Sequence, residues 1–233
     1  MTFSIVARCR ATGQLGVGAM TGKVGVGKLV AHARARTGAV ATQAMINPYL
    51  GFDGLALMAE GVSARDTLNR LLERDPGRAY RQCGLVDAEG SAAAWTGPKT
   101  PSWAGHRTGQ GYSAQGNRLV GPDTLDTLVE AFHAAEGREL AERLLLGLEA
   151  GASTGGDRQG ELSGAIYVVD TEQYPLWDAR VDHSDDPVAE LRALYQRFAE
   201  ELIPVVRGLS TREDPLGKAT RDLMRGEDPE ASR

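Results

Sequence analysis

Short turns between strand-like segments constrain this chain more than any other feature. TFSIVAR (2–8) alternates, RATGQ turns, and LGVGAM (15–20) answers it as the second arm of a hairpin. GAVATQAM (38–45) is small and β-branched, the composition of a strand buried on both faces. The same grammar recurs downstream. RQCGLVD and SAAAWTG flank an AEG turn, SWAGHRT and GYSAQGN flank Gly109–Gly111, and LSGAIYVVD (162–170) is followed by WDARVD. Such turns are too short for a helical crossover, so the strands they join must be antiparallel.

Helices fall between the hairpins in groups. FDGLALMAEG and SARDTLNRLLERD form a first pair, the second opened by a capping box of Ser63 with Asp66 and striped by Leu68, Leu71 and Leu72. A helix from Pro122 carries Leu125, Leu128, Val129 and Phe132, and another carries Leu140, Leu144, Leu145 and Leu148 and ends at Gly151. Val188, Leu191, Leu194, Tyr195, Phe198, Leu202 and Val205 predict one long amphipathic helix after Pro187. Strands and helices do not alternate as βαβ units do, so the predicted class is α+β, with helices layered against antiparallel sheets. One domain over 1–206 is expected, followed by a polar tail, 207–233, that is peripheral or disordered.

TGKVGVGKLV (21–30) matches the G-x-x-x-x-G-K spacing of a phosphate-binding loop through Gly22, Gly27 and Lys28. Position 29 is Leu, so the hydroxyl that holds magnesium is missing, and the sequence beyond it supports only about two helical turns before Gly38. An antiparallel sheet is also the wrong context. The stretch reads as a glycine-rich turn.

The net charge of −5 offers no basic surface for nucleic acid. No apolar run reaches the roughly 18 residues of a membrane span, and the N-terminus lacks the layout of a secretory signal. Cys9 and Cys83 stand alone, as free thiols suited to a cytoplasmic location. His32, His106, His133 and His183 show no metal-ligand spacing, and neither a metal nor a cofactor is expected. His106, beside Trp103 in a glycine-flanked hairpin, is the one histidine placed to meet a ligand.

The remaining chemical candidate is Thr2. Removal of Met1, which a small second residue permits, would leave a threonine hydroxyl beside a free α-amine on the first residue of a strand. An α-amine with a pKa of about 7.7–8.0 can accept the hydroxyl proton without a histidine.

Several motifs taken together resemble a known family. MTFSIVAR, GAVATQA followed by NP and G, DPGR, DAEG, WAGHRTG, QGN, LAERLL and RVDH, in this order, are similar to the bacterial domain of unknown function 1028. The resemblance runs from Thr2 to about Phe198. It implies an N-terminal-nucleophile hydrolase fold, a four-layer α-β-β-α sandwich of two antiparallel sheets, and amide cleavage through a freed N-terminal residue. Carried over, it makes Thr2 the expected nucleophile and Asn117 and Gln43 the expected oxyanion donors. Thr42, Asn47, Trp103 and His106 are expected to border a small-molecule substrate, with the chain in a homo-oligomer. A turn-stabilising role for the amides is the competing account.

Two departures stand out. Where the family places a basic residue after the first hairpin, an ungapped comparison puts Gly22, with Lys23 one position later. A one-residue shift turns a side chain to the other face, so Lys23 would need a bulge to reach Thr2. Where the family tends to have Arg and Gln before its last hairpin, this chain has Glu161 and Leu162. These changes motivate the alternative expectation of a non-catalytic small-molecule binder or assembly subunit of the same fold.

Overall fold

The computed structural model describes residues 2–226, and within them ten strands form two sheets. The first hairpin is β1 (Thr2–Arg8) and β2 (Leu15–Thr21). A single helical turn, α1 (Val26–Leu29), leads to β3 (Ala31–Arg34) and β4 (Gly38–Ala44). The pair α2 (Tyr49–Ala59) and α3 (Ala64–Arg74) precedes β5 (Arg81–Asp87) and β6 (Ala92–Thr96). Then come β7 (Ala104–Gly109), β8 (Tyr112–Asn117), α4 (Asp123–Ala134), α5 (Leu140–Ser153), β9 (Ser163–Val169) and β10 (Pro175–Val181). The chain continues through α6 (Pro187–Arg197), α7 (Ile203–Val206) and α8 (Gly217–Met224).

One sheet has the order β10-β9-β2-β1-β8-β7 and the other β3-β4-β5-β6. Every neighbouring pair is antiparallel, so the class is α+β, as the short turns require. Ser63 caps α3, its hydroxyl accepting from the Asp66 amide and donating to the Asp66 carboxylate.

β1 is central and fully covered, and its alternation divides the core. Phe3, Ile5 and Ala7 pack with Leu125, Leu128, Leu144 and Leu148 of α4 and α5. Val6 points the other way and packs with Val17, Ala39, Ala41 and Val86, partners drawn from both sheets. On the four-stranded sheet, Val40, Cys83 and Leu85 pack with Leu50, Met58, Leu68 and Leu71 of α2 and α3. Three apolar clusters thus share the sheets between them.

Two expectations need correction. The two helical turns expected beyond Lys28 do not form: α1 ends at Leu29 and β3 follows, because Ala31–Arg34 find open pairing positions along β4. The long helix predicted through Val205 breaks. A π-helical turn, Phe198–Leu202, separates α6 from α7, next to Pro204, whose missing N–H and ring cannot continue an α-helical ladder. The tail carries the eight-residue helix α8, and Tyr174 Oη donates to the Ser210 carbonyl to fasten the segment before it. Residues 227–233, the rest of that tail, lie outside the described residues.

Candidate active site

Beyond Val6 on the same face of β1, the space between the sheets changes character. At this end the strand positions that face across are polar: Thr2 and Ser4 on β1, Gln43 on β4, Gln82 on β5, and Ser113, Gln115 and Asn117 on β8. All are buried. Burying so many polar side chains is favourable only if each finds a partner. They do so by bonding to one another, and among the described residues no buried side-chain nitrogen or oxygen lacks one.

The bonds run as a directed chain. Ser113 Oγ donates to Gln115 Oε1 (2.8 Å), Gln115 Nε2 to Ser4 Oγ (2.6 Å), and Ser4 Oγ to Gln43 Oε1 (2.6 Å). Gln43 Nε2 then donates to Gln82 Oε1 (2.8 Å), and Gln82 Nε2 to Gly116 O (2.7 Å) and Thr96 Oγ1 (3.0 Å). Gly84 makes this possible: a Cβ there would collide with the Gln115 side chain. The chain ends at His106, whose Nδ1 lies 2.9 Å from Thr96 Oγ1. Because Gln82 donates to that hydroxyl, the hydroxyl hydrogen is available to Nδ1, which opposes protonation there. Desolvation around the ring, and secondly the Arg107 charge, also hold the His106 pKa below its ordinary value.

Two of the amides converge on the main chain of Thr2. Gln43 Nε2 lies 3.2 Å and Asn117 Nδ2 3.4 Å from the Thr2 carbonyl, and Gln82 Oε1 accepts from both amides. Thr2 is 5% exposed, and its hydroxyl lies 3.1 Å from the hydroxyl of Thr21 at the end of β2. Pairing in register with Asn117 fixes it from the β8 side. The amides expected to hold an oxyanion therefore grip the first residue of β1.

The other expected residues are distributed around this centre. Thr42 points to the opposite face of β4 from Gln43, and its hydroxyl donates to the Asn47 carbonyl (3.2 Å). Asn47 Oδ1 accepts from the Tyr49 amide (3.2 Å), so this pair shapes the turn into α2. Trp103 is half-buried, with Arg107 6.0 Å above its ring, and shares a hairpin arm with His106. Lys23 is exposed in the turn after β2. Its carbonyl, not its ammonium, is engaged, accepting from Ser163 Oγ at 2.7 Å.

The position before it explains why no basic side chain stands there. A Cβ at Gly22 would come within 2.6 Å of the Gly160 carbonyl and 2.9 Å of the Asp157 carboxylate. That carboxylate accepts from the Gly22 amide at 2.9 Å, and Glu161 accepts from the Asp157 amide at 2.9 Å. The two departures at positions 22 and 161 are thus one structural unit, a loop packed over the end of β2. Ser4, Gln82, Thr21 and Asp157 were not singled out from the sequence. The available signal was polar residues at alternate positions of strands that otherwise read as buried.

A model of the family of unknown function DUF1028 matches residues 2–191. The chain belongs to the DUF1028 family. A solved DUF1028 protein from Silicibacter pomeroyi is 31% identical, over 93% of this chain and 98% of its own, with a TM-score of 0.84. Anbu (ancestral beta-subunit) from Yersinia bercovieri gives 10% identity over 89% and 97% of the two chains, with a TM-score of 0.41. An Anbu Gly-1 mutant from a Hyphomicrobium strain gives 13% over 86% and 97%, with a TM-score of 0.40. No curated protein matches. Among the described residues of this DUF1028 chain, no helix is long and apolar enough to cross a membrane. Nor do three His, Cys, Asp or Glu side chains gather there as metal ligands.

Proposed function

We propose that this DUF1028 chain is an amide hydrolase of the N-terminal-nucleophile type, with Thr2 as the nucleophile and a small amide-containing molecule as substrate. In this reading the three apolar clusters are the seams of a four-layer α-β-β-α sandwich, and the polar end of the middle seam is the active site. The observation that carries it is the convergence of Gln43 and Asn117, from opposite sheets, on the carbonyl of Thr2. That grip fixes the backbone of one residue, and with it the positions of its hydroxyl and its nitrogen.

Once Met1 is removed, the Thr2 amine takes the proton from Oγ as Oγ attacks the substrate carbonyl. The same amine returns the proton to the departing nitrogen, the C–N bond breaks, and an acyl-threonine ester remains. Water, deprotonated by the amine, then cleaves the ester and regenerates Thr2. Asn117 and Gln43 act here as positioning residues, and the Thr21 hydroxyl orients Oγ. Lys23, exposed, is assigned no proton transfer.

The test is reaction with an electrophilic β-lactone probe. Wild type and Thr2→Ser should be labelled and Thr2→Ala should not; equal labelling of all three would overturn the proposal. The second reading, a non-catalytic binder of the same fold, is favoured by the filled position at Gly22, where Asp157 occupies the space of a basic side chain. It predicts no labelling of any of the three.

A further inference from the structure

At the other end of β1, about 20 Å from Thr2 by strand geometry, a cavity of about 1300 Å³ opens between the first turn and the α4–α5 connection. Five arginines line it, Arg8, Arg10, Arg138, Arg143 and Arg207, against Glu89, Glu136 and Glu139. Two of the arginines are paired, Arg138 with Glu142 and Arg207 with Glu139. The lining therefore has an excess of cationic groups in a chain of net charge −5.

Arg143 is the telling residue. It is only 7% exposed, yet among the described residues it has no carboxylate partner. Its Nε reaches the Phe132 carbonyl at 3.4 Å, and its guanidinium stacks 4.1 Å from the centre of the Phe132 ring. Stacking on a ring covers a face of the guanidinium and leaves its edge, where the N–H groups lie. A guanidinium buried without a counter-charge is costly, and its planar fork matches carboxylate and phosphate oxygens. The positive field also reaches Cys9. Burial raises the thiol pKa, but hydrogen bonds at Thr12 and Ala11 and the Arg143 charge bring it below its ordinary value.

We propose that this cavity is a binding site for a small organic anion, whose carboxylate or phosphate group is held bidentately by Arg143, with Arg8 and Arg10 at the mouth. The site is separate from Thr2 and stands whether or not Thr2 is a nucleophile.

Titration calorimetry on the full chain, with citrate and with inorganic phosphate at constant ionic strength set by chloride, tests it. Wild type should bind one or both, and which one binds identifies the group recognised. Arg143→Met should weaken binding at least about tenfold, as expected for loss of a charge-assisted bidentate contact. Arg143→Lys, which keeps the charge and loses the fork, should weaken it severalfold. Arg10→Ser alters only an exposed side chain, so it serves even if the Arg143 variants do not fold, and should weaken binding about threefold. Binding of neither anion by wild type would overturn the proposal, as would wild-type affinity in Arg10→Ser or in any folded Arg143 variant.

Discussion

Glu161 shows how much one residue can report about the site. Burial raises its pKa, and the neighbouring Asp157 charge adds to this against the hydrogen bonds it accepts. A carboxyl whose folded pKa is raised favours folding while it is protonated, and that contribution is lost as pH rises through the folded value. At neutral pH the charged form therefore carries a penalty that glutamine would not, while glutamine can still accept from the Asp157 amide. Glu161→Gln should raise the melting temperature by a few degrees at pH 7–8 and leave it unchanged at pH 4 and below. Thermal melts across that range would decide it; a loss of stability at pH 7–8 would mean that the carboxylate charge is needed there.

Among the elements, β5 and β8 depend on one missing side chain. With a Cβ at position 84, the Gln115 amide would be displaced and the chain of hydrogen bonds from Ser113 to Gln82 cut at its first two links. Gly84→Ala should cost about 2–3 kcal/mol by overpacking and by leaving buried amide groups unsatisfied. Gly54 in α2 is the control. A Cβ there meets nothing closer than Leu71 at 3.4 Å, so Gly54→Ala should be stabilising by about 0.5–1 kcal/mol through helix propensity. Denaturant unfolding of the two variants would separate packing from propensity. The hairpins, the Ser63 cap and the helix pairs were legible in the sequence because period, turn and cap are local signals. β3 was not, since four residues pair only because β4 offers an edge. The break at Phe198 leaves no trace in the apolar stripe, which continues across it, and only Pro204 marks it in the sequence.

For the whole molecule, the same limit separates the two halves of the site. Thr2, Gln43 and Asn117 could be named from a terminus, strand ends and a family resemblance. Gln82 could not, because it meets Gln43 only through the β4–β5 ladder, and its bonds to Gly116 and Asn117, 34 and 35 residues away, form only when one sheet packs on the other. The tail offers a test at this scale. The three apolar clusters include no residue beyond Val206, so the chain cut after Arg207 should still unfold cooperatively, with a melting temperature within a few degrees of the full chain. Loss of cooperativity would assign α8 to the core.

The proposed function stands on Thr2 as a freed nucleophile, and the mass of the N-terminal peptide after treatment with a β-lactone probe shows whether it is one. The expected peptide begins at Thr2 and carries one opened lactone on Oγ. A peptide that retains Met1, or one that begins at Thr2 and stays unmodified, would contradict the proposed function.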